Sequence, residues 1–318
     1  FKAGSWGLIN PSVLIEQEIN NKWALSANAE WMMADGRYPY TMYYGQQNDS
    51  TSREKRKNTE VKTLRTEVGL FGNFSDTEQW RVKAYYYQSS RGLPGATTLY
   101  YDYASQHLWD KNTFVQSQHK KEFSRKWVVQ TSAKWNWNYQ RYLDPDYKGS
   151  TGKSENKYYQ QEYYLSASAL YRILNNLSFA LSSDGNIQTL TANQDSYAEP
   201  KRYSWLTAIA GKYVNEWLTA SASLLATVVN DKTHFESVAG SHRRLTPYVS
   251  ASFKPFANEE LRIRGYYKEI FRLPTFNDLY YAEVGNSELS PEKTTQYNIG
   301  ITYGKEIGSC AHVSATID

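Results

Sequence analysis

The sequence predicts an all-β fold, an antiparallel transmembrane β-barrel segment, on three observations. Several stretches alternate apolar and polar residues with a period of two, which places successive side chains on opposite faces of a strand. The connections between these stretches are alternately very short and very long, the pattern of a barrel with tight turns at one rim and long loops at the other. With 28 Tyr, 10 Trp and 11 Phe, aromatics make up 15% of the chain and need burial, stacking partners or a membrane interface. In hydrocarbon every N–H and C=O must be paired within the protein, so a membrane sheet closes and its neighbours meet as hairpins.

The alternation is clearest at 23 to 31, where Trp23, Leu25, Ala27, Ala29 and Trp31 share a face opposite Ala24, Ser26, Asn28 and Glu30. It recurs at 126 to 140, with Trp127, Val129, Ala133, Trp135, Trp137 and Tyr139 against Gln130, Ser132, Lys134, Asn136, Asn138 and Gln140. At 217 to 229, Leu218, Ala220, Ala222, Leu224, Ala226 and Val228 oppose Thr219, Ser221, Ser223 and Thr227; the flanking turns favour strand over helix there. Short turns fall near Asn20, Asp76, Ser124, Asn175, Asn215 and Asn258, and long polar segments near 35 to 60, 90 to 111, 143 to 157, 191 to 201, 231 to 243 and 271 to 294. Twelve strands result, at 4–19, 23–34, 61–74, 79–89, 112–122, 126–142, 158–174, 177–190, 202–214, 217–230, 244–256 and 261–270. Residues 295–303 read as a thirteenth, and the chain stops at Asp318 inside a fourteenth. About nine to eleven tilted residues cross the hydrocarbon, so most of these strands protrude beyond it. Trp23, Trp80, Trp127 and Trp217, each just after a short turn, fit an interface girdle. Arg65, Glu67, Arg81, Lys83, Lys134, Glu162, Asp184, Arg262, Arg264 and Lys268 fall on the polar face, suited to a wet or plugged interior rather than a dry core.

Other classes lose ground. A net charge of +4 gives no case for nucleic-acid binding, and the lone Cys310 excludes an internal disulfide framework and a cysteine-based metal site. No run of eighteen apolar residues occurs, which removes helical spanning but not a barrel. The chain opens at Phe1 without a signal-like segment, as expected of a processed chain or a fragment. None of the five histidines shows a compact metal spacing; His107, His234 and His242 are left as loop residues or chelate contacts. Asp144, Asp146 and Gly149 form an oxygen-rich turn without an EF-hand pattern, and no nucleophile elbow or phosphate loop is present. The run Arg53-Glu54-Lys55-Arg56-Lys57 reads as a solvated loop or as an attraction for anionic lipopolysaccharide. The aromatics Tyr40, Tyr101, Trp109, Tyr280 and Tyr281 are candidates for stacking on a flat or sugar-like ligand, or sit in wet loops without one.

The segment Phe271-Arg272-Leu273-Pro274-Thr275-Phe276-Asn277-Asp278-Leu279-Tyr280-Tyr281, with Gly285-Asn286, Leu289, Pro291-Glu292 and Thr295 to Gly300, is similar to the TonB-dependent outer-membrane receptors. Gly4-Ser5-Trp6-Gly7, Asp35 to Tyr40 and Arg91-Gly92-Leu93-Pro94-Gly95 support the resemblance, and the stretches YYYQSSRGLPG, LDPDY and RYSWLTA look nearest to receptors of the Bacteroides group. The resemblance implies that residues 1–318 are part of a barrel domain of 22 strands, with the plug domain, the energy-coupling box and the last strands absent. It implies no enzyme chemistry and no cofactor. It also implies import of a scarce solute such as an iron chelate, haem or cobalamin, with an oligosaccharide importer, a passive porin or a soluble carbohydrate-binding sandwich as alternatives. The implied partners are outer-membrane lipid and lipopolysaccharide, a TonB-type periplasmic protein acting through the plug, a small solute and a surface lipoprotein. Arg272, Pro274, Asn286, Pro291 and Glu292 form the loop motif. Pro274 and Pro291 restrict the chain, and Arg272 is expected to pair with Asp278, Glu283 or, by preference, Glu292.

Overall fold

The structure, a computed structural model, describes residues 1–44, 50–97, 104–149, 152–235, 240–282, 284–307 and 311–318. Among them lie eighteen strands: β1 (Lys2–Gly4), β2 (Leu8–Asn10), β3 (Ser12–Asn20), β4 (Trp23–Ala34), β5 (Pro39–Tyr44), β6 (Ser50–Lys55), β7 (Val61–Ser75), β8 (Glu78–Gly92), β9 (His107–Glu122), β10 (Trp127–Asp144), β11 (Ser154–Leu174), β12 (Leu177–Ala192), β13 (Lys201–Val214), β14 (Leu218–Lys232), β15 (Ser241–Phe253), β16 (Glu260–Arg272), β17 (Glu292–Ile307) and β18 (Ala311–Ile317). One short helix, α1 (Phe276–Tyr280), precedes β17. Sixteen strands form one sheet in the order β1-β2-β4-β7-β8-β9-β10-β11-β12-β13-β14-β15-β16-β17-β18, with β3 also on β4, while β5 and β6 form a separate hairpin. From β7 onward each strand neighbours the next in sequence, a meander of hairpins.

The expected strand over 4–19 is instead three pieces. Trp6 and Gly7 adopt positive φ, turning the chain between β1 and β2. Pro11, which has no N–H to give a ladder, separates β2 from β3, and both then lie along β4. The long segment 35–60 holds the β5–β6 hairpin, which the sequence left as loop. It is entered at Gly36, where φ is +62° and a Cβ would stand 2.6 Å from the Thr59 carbonyl oxygen. Three of the tight turns close on side-chain oxygens: Asn20 Oδ1 accepts from the N–H of Lys22 and Trp23, Ser124 Oγ from Lys126 and Trp127, and Asn215 Oδ1 from Trp217 and Leu218.

The chain divides into two compact units, one of Phe1–Gln118, Lys134–Tyr163 and Gln188–Glu199, the other of His119–Ala133, Tyr164–Ile187 and Pro200–Asp318. In the first, the ladders align Leu25, Leu70 and Val82, then Ala27, Val68 and Ala84, on one face. The opposite face aligns Glu30, Arg65 and Tyr87, then Asn28, Glu67 and Tyr85. In the second, Ile209, Leu224 and Pro247 share a face with Val249, Tyr267 and Tyr297. Behind them run Lys212, Ser221 and Ser250, with the two serine hydroxyls 2.8 Å apart. Leu224, Leu245, Val249, Trp205, Ile209 and Ile299 are exposed, and many more large apolar side chains lie on the surface than in the core. A face of that extent is unsustainable in water and suited to hydrocarbon.

Candidate functional site

In the second unit the segment between β16 and β17 is fastened by groups distant in sequence. Arg202 on β13 stands opposite Asp231 on β14. Its Nε donates to Oδ1 at 2.7 Å and its Nη2 to Oδ2 at 2.6 Å, a bidentate pair whose side chains are 7% and 0% exposed. The remaining Nη1 donates to the Pro274 carbonyl at 2.8 Å, and the guanidinium lies 5.1 Å from the centre of the Phe276 ring. A buried charge pair is sound only when its leftover donors are also satisfied; here the leftover donor is what grips the loop. Asp278 and Thr275 form a reciprocal capping box at the start of α1, and Phe276, Leu279 and Tyr280 are buried. The Thr275 N–H and hydroxyl hold the Asp278 carboxyl below the usual carboxylate range. The return is closed by Gly285 N–H donating to Tyr281 O at 2.7 Å and Asn286 N–H to Asp278 O at 2.8 Å.

The expected Arg272–Glu292 pair also forms. The two residues face each other in the β16–β17 ladder with Nη1 3.3 Å from Oε1, but their side chains are 60% and 68% exposed. Such a pair contributes little. The sequence contained both anchors and favoured the weaker one, because Arg202 and Asp231 sit far from the motif along the chain.

In the first unit the polar face carries a hydrogen-bonded row near the long connections. Arg91 pairs with Asp110 at 3.0 Å, Gln140 donates to Asp110 at 3.0 Å, and Asn112 donates to Asn136 at 3.0 Å and to Asn138. Tyr85 stacks on Phe114 at 4.8 Å, and Lys134 lies over the same ring at 5.0 Å. This wall offers amides and paired charges, suited to holding a polar solute or a protein surface rather than to bond breaking.

The other candidates scatter. Tyr40 is half-buried on β5 beneath the Arg56 guanidinium, whose Nη2 donates to Gly95 O at 2.6 Å; one arginine of the charge run is thus a loop tie. The Trp109 ring has the His107 ring 4.1 Å away and the Arg141 guanidinium 4.4 Å away, and by alternation with Asn112 and Phe114 it belongs to the apolar face. Tyr280 is 5% exposed inside the loop, Tyr281 is its half-buried C-cap, and Tyr101 lies outside the described residues. Asp146 accepts from Ser105 and Asp144 from Gln106, so the acidic turn is occupied by local hydrogen bonds. Among the described residues no group of three or more His, Cys, Asp or Glu is placed to hold a metal ion.

The fold is similar to solved outer-membrane proteins. The copper transporter OprC shares 12% identity over 99% of this chain and 51% of its own, with a TM-score of 0.73. The FrpB iron transporter from Neisseria meningitidis shares 9% over 94% and 51%, also with a TM-score of 0.73. The ferripyoverdine receptor of Pseudomonas aeruginosa shares 13% over 95% and 45%, with a TM-score of 0.67. The chain spans about half the length of these proteins. No curated protein sequence matches it. The family model described as "TonB dependent receptor-like, beta-barrel" matches residues 18–317, so the chain belongs to the TonB-dependent receptor-like β-barrel family.

Proposed function

We propose that residues 1–318 are a section of the barrel of an outer-membrane receptor that imports a scarce solute, with energy delivered by a TonB-type periplasmic protein through a plug domain. The observation that carries this reading is the two-faced sheet. Exposed apolar residues gather on one face and hydrogen-bonded polar residues on the other, in hairpins whose connections alternate short and long. Such a wall places the apolar face in lipid and the row from Arg91 to Asn138 toward a wet lumen. The localisation is the bacterial outer membrane. The completed barrel has 22 strands in this reading, and the YYYQSSRGLPG-type stretches support a Bacteroides-type member.

The cargo is an iron chelate or related metal complex, supported by the copper, iron and ferripyoverdine proteins that share the fold. Stacking on the solute falls to the loop tyrosines Tyr40 and Tyr281, with Tyr101, since Trp109 faces lipid and Tyr280 is buried. Binding outside and plug movement below accomplish the import, so no covalent step is required. Lipid and lipopolysaccharide surround the wall, and a surface lipoprotein is a further partner. Uptake of a radiolabelled ferric chelate by cells carrying the full-length receptor tests the reading. Energy-dependent uptake that is lost on removing the TonB-type protein supports it. Uptake that persists without that protein indicates a passive porin, and uptake of oligosaccharides but not chelates moves the cargo to the other class.

A further inference from the structure

On the apolar face of the first unit, where β4, β7, β8 and β9 meet their long connections, lies a groove of about 270 Å³. Trp31, Leu64 and Trp109 give it apolar walls, and Lys62 and Lys111 stand at it. By strand alternation Lys62 belongs to the face that carries Leu70 and Val68, opposite Arg65 and Glu67, and Lys111 shares the parity of Trp109 on β9, opposite Asn112 and Phe114 of the polar row. Among the described residues no carboxylate lies within ion-pair distance of either one, and Lys111 is placed only over the Tyr139 ring, at 5.8 Å. The neighbouring cations are by contrast occupied: Arg141 and Lys157 share Glu155 at 2.7 and 3.2 Å. Two lysines left unpaired beside lipid are costly without an anion, whereas aromatic and basic side chains together suit the headgroup level. Trp23 near the short turns and Trp31 at the groove stand eight residues apart, at most roughly 26 Å along a strand, close to the height of the apolar band.

We infer that this groove holds a phosphorylated lipid of the outer leaflet, its phosphate between Lys62 and Lys111 and an acyl chain along Trp31 and Leu64. The proposal rests on the reading of this face as lipid-facing and deepens it from general immersion to one seated headgroup. The test uses the full-length receptor in detergent and bisphosphorylated lipid A as probe, with bound lipid counted by native mass spectrometry. One lipid A should remain bound, and the double variant Lys62→Gln/Lys111→Gln should weaken it about thirtyfold. Lys62→Arg/Lys111→Arg should retain it, which separates lost charge from misfolding. Dephosphorylated lipid A should bind as weakly as to the Gln variant, and inorganic phosphate should not compete at equal concentration. Equal affinity of wild type and Gln variant, loss in the Arg variant as well, or equal displacement by free phosphate would each overturn the proposal. A nitroxide placed at Leu224, remote in sequence and in the other unit, reports the underlying reading by its collision with oxygen. A lipid-exposed signal there with unchanged lipid A binding refutes the groove alone, and a lipid-shielded signal refutes the face.

Discussion

Arg202 is the residue on which the loop between β16 and β17 depends, because its single guanidinium satisfies Asp231, the Pro274 carbonyl and the Phe276 ring at once. Truncation leaves a fully buried carboxylate without its partner. Arg202→Ala is therefore expected to weaken the loop's attachment by about 3 to 5 kcal/mol, whereas Arg272→Ala, at an exposed pair, costs less than about 1 kcal/mol. Limited proteolysis of the full-length receptor distinguishes them: cleavage within 272–292 should accelerate strongly for the first and little for the second. Equal acceleration would return the anchor to Arg272. The local motif was legible because Pro274, Asp278 and Glu292 are close in sequence. The Arg202–Asp231 pair was not, since a cross-strand partner is defined by register and register is not written in either residue alone. Asp278 adds a pH signature. Its carboxyl titrates below the ordinary range when the cap is formed, so the capping contribution is complete above the ordinary carboxylate value and disappears as pH falls through the lowered one. Hydrogen exchange of the α1 amides should rise relative to the β-strand amides on acidification through that window, and Asp278→Asn should remove the dependence.

At the scale of the element, β14 gives the sharpest test of face. Ala222 pairs with Val249 and Leu224 with Pro247, while Ser221 meets Ser250 on the other side. Ala222→Arg is expected to destabilise the folded barrel by about 2 to 4 kcal/mol near the midplane, and Ser221→Arg by clearly less. Denaturant titration into lipid vesicles measures both, and the reverse order would invalidate the register. The strands were readable from their period of two, and the hairpin turns from Asn and Ser placed where an oxygen can accept from the next amides. The β5–β6 hairpin escaped because its alternation, with Tyr40, Met42 and Tyr44 on one side, is embedded in a polar segment rich in charge. The break between β2 and β3 was signalled by Pro11 but outweighed by the apolar alternation on both sides of it.

For the whole molecule, the two faces and the alternation of connections are the properties that the period-two patterning and the spacing of the turns announced. They were legible because they depend on pattern rather than on particular contacts. The candidate ligand residues were less so: Tyr280 and Trp109 look alike in sequence, yet one is buried in a loop core and the other lies on the apolar face. The central claim is that all short turns lie on the periplasmic side of an outer membrane and all long connections outside. Single cysteines introduced at Asp146, Tyr43 and Glu288, and separately at Asn20, Asp76 and Asn215, in a full-length receptor with Cys310 replaced, test it most directly. Reaction with a membrane-impermeant maleimide on intact cells is expected at the first three positions, all exposed on long connections. At the second three it is expected only after the cells are permeabilised. Labelling of both sets on intact cells, or of the turn set alone, would contradict the account.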